Sequence, residues 1–243
     1  MTAAFGALAV MLAAFVKGAV SFGFPTIATP LLALVVDVKT AVAILVLPNL
    51  VMDGIQALRR PGLAATVRRH ATLYLLGIVG TFIGTHLLKR FSDRQALLAL
   101  GAFVLIFVAL NVSRLSLRVN PAWERVLAPP MGLVAGVVGG VTNVPGTPLV
   151  IYFYALGMDK AEFVRSIAVS FIVYKAAQLV AVIQAGMMTS ALFGLSVAAT
   201  LAAVGAFWLG LLIQDRMNQR TFNRVVLGVL TGLGVFLVYR AIG

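Results

Sequence analysis

The chain contains no cysteine, which excludes disulfides, thiol catalysis and thiolate metal sites. Histidine is nearly absent. His70 and His86 are the only two, they lie in different segments, and no His, Asp and Glu residues fall at metal-ligand spacing. Neither a cofactor nor a metal is therefore expected. Charge is scarce too: charged residues are 11% of the 243 and hydrophobic residues 61%, whereas a soluble domain carries roughly 25% charged residues. That balance specifies an integral membrane protein built from helices. Positions 1–16 hold no Lys or Arg, and a cleaved secretory signal needs a basic start, so the first helix is expected to be retained.

Acidic residues are the scarcest charge, 7 Asp and Glu against 19 Lys and Arg, giving a net charge of +12. On a soluble protein this would point to nucleic acid. Here the basic residues sit mostly in short stretches between apolar spans, where they set orientation and meet anionic headgroups. The expected partners are the lipid bilayer and a small anion, with no nucleic acid. A homodimer is compatible with these features.

What the sequence does have is a short interruption that occurs twice. Residues 21–30, Ser-Phe-Gly-Phe-Pro-Thr-Ile-Ala-Thr-Pro, break one apolar run, and residues 139–148, Gly-Gly-Val-Thr-Asn-Val-Pro-Gly-Thr-Pro, break another. Both end in Thr-Pro-Leu, at Thr29 and Thr147. Proline and glycine at this density free backbone N–H and C=O groups. In hydrocarbon such backbone must line a protein-enclosed cavity. Paired interrupted segments in corresponding halves are the strongest sequence pointer to a transporter binding site.

The apolar runs predict helices over about 3–20, up to 36, 40–58, 71–88 and 95–112, with a basic loop between 59 and 70. The plan then repeats over about 126–141, up to 157, 161–184, 192–213 and 222–241. The turn at 214–220 mirrors that at 89–94. The fold expected is an all-α integral membrane protein of two inverted-topology repeats, 1–118 and 119–243. Each would hold a broken or re-entrant helix pair plus three transmembrane helices. Charge distribution favours inversion. With re-entrant pairs, one face collects Arg59, Arg60, Arg68, Arg69, Arg114, Arg118, Arg125, Lys160, Arg165, Arg216, Arg220 and Arg224, twelve in all. The other collects five: Lys39, Lys89, Arg90, Arg94 and Arg240. Parallel halves would split nearly evenly. The basic face is cytoplasmic, which places both termini outside a multi-pass protein of the bacterial inner membrane.

Two lysines remain inside predicted spans. Lys17 stands four residues before the first break, and Lys175 stands mid-span in 171–178. A buried lysine costs roughly 2.5–3.5 kcal/mol on insertion scales, so it marks a functional or paired position. Lys17 has the alternative of snorkelling to a helix end. Asp53 shares a span with Gln56, and Lys175 with Gln178, each Gln three residues on and so on the same helix face. Aligning the glutamines sets Asp53 opposite Lys175. That leaves three readings: an ion pair, a substrate cation with a proton-coupling carboxylate, or Asp53 as a cap near Arg59. The breaks add helix N-termini, which cradle oxyanions, and the donors Ser21, Thr26, Thr29, Asn143, Gly146 and Thr147. Glycines at 80, 84, 132, 136, 140, 228 and 232 are read as close helix packing. Trp123, Tyr152, Tyr154 and Trp208 are read as interfacial anchors or packing. A membrane-embedded enzyme would need a nucleophile with a base, or a metal cluster, and neither is present in the pattern. A secondary anion transporter is the first expectation, with a passive anion channel as the alternative.

The pattern from Gly18 to Leu32, its echo from Gly132 to Val150 followed by Leu156-Gly-Met-Asp-Lys160, and the short basic turns at 89–94 and 214–220 resemble the TauE/SafE family of sulfite exporters. These are also called the four-toluene-sulfonate uptake family. The resemblance spans nearly the whole chain. It implies secondary transport, mostly export coupled to the proton gradient, of sulfur-containing anions such as sulfite or organosulfonates, with small carboxylates as an alternative substrate.

Overall fold

The computed structural model describes residues 2–20, 23–59, 61–112, 119–120, 123–213, 231–232 and 234–242. The helices, in chain order, are α1 (Thr2–Val20), α2 (Phe24–Leu32), α3 (Val38–Leu58), α4 (Leu63–Arg69) and α5 (Ala71–Arg90). They continue with α6 (Asp93–Val112), α7 (Glu124–Thr142), α8 (Gly146–Ala155), α9 (Lys160–Gln184) and α10 (Ser190–Ile213). Residues 234–242 are helical as well. No strand occurs among the described residues. Six helices, α3, α5, α6, α7, α9 and α10, are long and apolar enough to cross a membrane. The chain is therefore a multi-pass, all-helical membrane protein.

Each break reverses the chain. After α1, Gly23 adopts φ 98°, a left-handed conformation that glycine takes without steric cost. Pro25 then occupies the first turn of α2, where no donor is required. The far end of α2 returns to the start of α1, since a Cβ on Gly6 would meet the Leu32 side chain. After α7, Asn143 takes φ 69°, and Pro145 precedes α8. At the end of α8 the Tyr152 hydroxyl donates to the Glu124 carbonyl at the start of α7, over 3.1 Å. Both pairs are therefore hairpins whose tips are the breaks.

The interruptions are shorter than the Gly/Pro pattern predicts. Thr26, Thr29 and Pro30 lie inside α2, and Thr147 lies in the first turn of α8. An interior proline loses the bond to the residue four back and crowds that residue's carbonyl, yet α2 continues through Pro30. Among the described residues of the two breaks, the left-handed backbone falls on Gly23 and Asn143. The basic loop expected between 59 and 70 also contains a helix, α4, launched by Gly62 at φ 96°. Of the aromatics read as anchors or packing, Tyr152 is buried in the core, which is packing, whereas Tyr154 is exposed.

The same device opens α3 and α9. Asp37 accepts from the Thr40 amide and Asp159 from the Glu162 amide, each at 2.9 Å. Glycines then set the packing. A Cβ on Gly132, Gly136 or Gly140 of α7 would strike the carbonyl of Leu73, Gly77 or Thr81 on α5. The contacts advance together along both helices, so α5 and α7 run parallel with backbones touching. In the same way Gly18 of α1 faces Phe207 and Gly210 of α10. Among the described residues nothing packs against Gly232, contrary to its reading as a packing glycine. Gly228 and the turn at 214–220 lie outside the described residues. Between these pairs α3 packs against α9. Arg165 donates to the Pro61 carbonyl at 3.0 Å, while Phe171 lies near Lys17, the partner of Asp53. Ascending α3 thus matches descending α9, and the two are antiparallel. Arg240 donates to the carbonyls of Ala33 and Leu34, which places the end of the last helix beside the end of α2.

Candidate functional site

The tips of the two hairpins bring α1, α2, α3, α8 and α9 together around a wholly buried polar cluster. Lys17, on the last turn of α1, is 0% exposed. Its ammonium pairs with Asp53 of α3 and donates to Asn49 Oδ1 at 3.0 Å. Three expectations are corrected here. Lys17 does not snorkel, because its stem points into the bundle and not toward a helix end. Asp53 is 1% exposed and so is no cap near Arg59. The ion-pair partner of Asp53 is Lys17, not Lys175.

Among the described residues, Lys175, 1% exposed on α9, donates only to neutral oxygens. Its Nζ donates to the Asn143 carbonyl at 2.8 Å, to Asn143 Oδ1 at 2.5 Å and to Gln178 Oε1 at 2.5 Å. Gln178 in turn donates to the Gly139 carbonyl at 3.1 Å. Asn143 is the only non-glycine among the described residues with positive φ. That conformation turns both its carbonyl and its side chain toward the lysine. Its Nδ2 donates to Thr29 Oγ1 on α2 at 3.0 Å, which joins the two hairpins.

The other predicted residues collect nearby. Gln56 is buried one turn beyond Asp53, and Thr26 is buried on the α2 face that carries Thr29. Gly146 begins α8, with Phe171 so close that an added Cβ would lie 3.2 Å from the ring. Thr147 is buried with its Oγ1 lacking a hydrogen-bond partner, as are Asn49 Nδ2 and Asp53 Oδ2. Neither α2 nor α8 has a side-chain cap, so first-turn N–H groups point from both helix starts. Ser21 lies outside the described residues.

Two residues escape sequence reasoning. Asn49 sits four positions before Asp53, hence on the same face, and its polarity inside an apolar span was a usable signal. Phe171, whose ring centroid is 5.5 Å from the Lys17 ammonium, carries no such signal, because an aromatic in a span is ordinary.

The cluster holds two ammonium groups, one carboxylate and the positive ends of two helices. An excess of buried positive charge can hold an anion. Among the described residues no group of three or more His, Asp and Glu could hold a metal.

A second polar cluster closes one end of the bundle. Arg69, at the end of α4, grips both oxygens of Glu124 at 2.8 and 2.9 Å and also pairs with Glu162. The Glu124 carboxylate holds the Arg69 guanidinium above its ordinary pKa. Arg165 donates to Thr66 Oγ1 at 2.7 Å. His70 is buried beside Phe153 and Ser166, and burial pushes its imidazole down to about 4.

Comparison with known protein families finds a match. The family model described as "Sulfite exporter TauE/SafE" covers residues 6–237. No curated protein and no solved structure matches the chain.

Proposed function

The chain belongs to the sulfite exporter TauE/SafE family, and on that premise we propose that it is a secondary transporter exporting small sulfur-containing anions, sulfite or organosulfonates, from the bacterial cytoplasm, coupled to the proton gradient. The observation that carries this reading is Lys175. It is a buried ammonium whose hydrogen-bond partners are all neutral oxygens, set where two uncapped helix starts converge. In this reading the anion takes its oxygens' hydrogen bonds from Lys175, Thr147 and the first-turn amides of α8, with Thr29 and Thr26 on the opposing hairpin. Lys17, Asn143, Gly146, Gln56 and Gln178 complete the polar wall, and Asp53 is the proton-coupling carboxylate.

The architecture behind it is a pair of inverted repeats, 1–118 and 119–243, which rock against each other around the site. Packing supports this reading. Exchange α1 with α7, α3 with α9 and α5 with α10, and the α1–α10 contact becomes α7–α5 while α3–α10 becomes α9–α5. The antiparallel crossing of α3 and α9 is the geometry expected at an axis in the membrane plane. The basic face then lies in the cytoplasm and both termini outside.

Reconstitution into liposomes tests the function. Sulfite is expected to accumulate against its own gradient when a pH gradient is imposed. Flux that only runs downhill would assign the scaffold to a passive channel, and no flux of sulfite or any organosulfonate would refute the proposal.

A further inference from the structure

Lys17 and Lys175 share the polar cluster but are not equivalent. Lys17 is neutralised by Asp53, whereas Lys175 has no carboxylate partner among the described residues. Lys175 also lies within electrostatic reach of both Lys17 and Asp53. The charged side chains inside the site therefore sum to one positive charge while Asp53 is ionised, and to two when it is protonated. Asp53 has an atom ready for that proton. One carboxylate oxygen binds Lys17, and the other, Oδ2, is buried with no hydrogen-bond partner. An unpartnered carboxylate oxygen in a low-dielectric interior disfavours the ionised form, and a buried ion pair is only weakly stabilising in net terms.

We infer that Asp53 is a proton-operated release for Lys17, which fits the site to a doubly charged oxyanion bound together with one proton. A proton from water adds to Asp53 Oδ2, the carboxylate becomes a neutral acid, and the Lys17–Asp53 ion pair is lost while Lys17 keeps its own proton. The freed ammonium then faces the anion together with Lys175, two positive charges against two negative. A singly charged sulfonate needs only Lys175 and leaves the ion pair intact. Few other groups intervene. The elements packed on α3 bring Lys17 from α1 and Lys175 from α9 toward Asp53. α2 and α10 carry no titratable side chain, and the only charged residues of α6, Asp93 and Arg94, stand at its far end. This inference rests on the anion-transport reading and adds which charge state is carried and what the proton does.

The test is calorimetric binding to the purified full chain, in two buffers of different ionisation enthalpy, with sulfate and methanesulfonate as probes. Neither probe changes charge around neutral pH, so any proton taken up comes to the protein. Sulfate is expected to bind with uptake of one proton and an affinity that rises about tenfold per unit fall in pH, as one linked proton requires. Methanesulfonate is expected to bind with no proton uptake. In Asp53→Asn, sulfate is expected to bind without proton uptake and independently of pH. In Lys17→Met, sulfate binding is expected to weaken by tenfold or more. The wild-type comparison of the two probes needs no variant to fold. Sulfate binding without proton uptake, equal uptake with both probes, uptake that persists in Asp53→Asn, or binding of methanesulfonate but not sulfate overturns the inference and leaves the transport reading standing. Binding of neither probe nor of sulfite sinks both.

Discussion

Asn143 Nδ2 donates to Thr29 Oγ1 at 3.0 Å, a single bond between side chains 114 positions apart. It joins the tip of one helical hairpin to the middle of the short helix in the other. The Asn143 carbonyl and Oδ1 both accept from Lys175 at the same time. One residue thus positions the unpaired cation and couples the two hairpins, and its left-handed backbone makes both possible.

Replacing Asn143 separates those roles. Asn143→Gly keeps the left-handed turn but removes the side-chain acceptor and the link to Thr29. Hydrogen bonds to a charged group contribute about 1.5–3 kcal/mol, so anion flux is expected to fall at least tenfold while the protein still elutes as a folded species. Thr29→Val removes only the link. It is expected to lower flux a few-fold, in keeping with one neutral bond of about 1 kcal/mol. Initial rates in proteoliposomes measure both.

The glycine contacts between α5 and α7 set a stability prediction. Gly136→Val places a side chain against the Gly77 carbonyl, with backbone and not a flexible chain end in the way. Overpacking costs typically 1–3 kcal/mol and sometimes more. This variant belongs at the upper end, with a clearly lowered unfolding temperature in detergent. Gly54→Ala is the control. Its Cβ meets nothing within 4 Å and alanine is the better helix former, so its unfolding temperature is expected to be unchanged or slightly raised.

His70 gives a pH dependence. Its folded-state pKa of about 4 lies below the ordinary 6.5 because burial disfavours the imidazolium. As pH falls, the unfolded chain takes the proton first. Stability is therefore full above pH 6.5 and declines as pH drops toward 4. Thermal unfolding across that window is expected to show the decline, and His70→Gln is expected to flatten it. An equally steep decline in the variant would assign it to other groups.

Much of the helix plan is legible in the sequence, because apolar runs of bilayer length bounded by charge have one solution in lipid. The long helices stand close to their expected bounds. The breaks are placed correctly but drawn too long. Gly/Pro density marks where a helix can fail, whereas the actual reversal needs a residue in the left-handed region, and among the described residues of the breaks only Gly23 and Asn143 provide it. α4 is hidden because seven residues are too few to show periodicity. The site is legible as a set and not as a wiring. Lys17, Asp53, Lys175 and Gln178 are all conspicuous as polar residues in apolar spans. With two lysines and one aspartate, however, the pairing is a matter of three-dimensional distance. Alignment of Gln56 with Gln178 sets Asp53 opposite Lys175, and the fold gives the ion pair to Lys17 on α1 instead.

The most direct measurement is sulfite flux in liposomes containing either the wild-type chain or Lys175→Ala, under the same pH gradient. The account predicts saturable, gradient-driven flux in the wild type and a loss of at least a hundredfold in the variant, which gives up several charge-assisted hydrogen bonds of about 1.5–3 kcal/mol each. Flux in Lys175→Ala equal to wild type would contradict the assignment of the hairpin tips as the anion site.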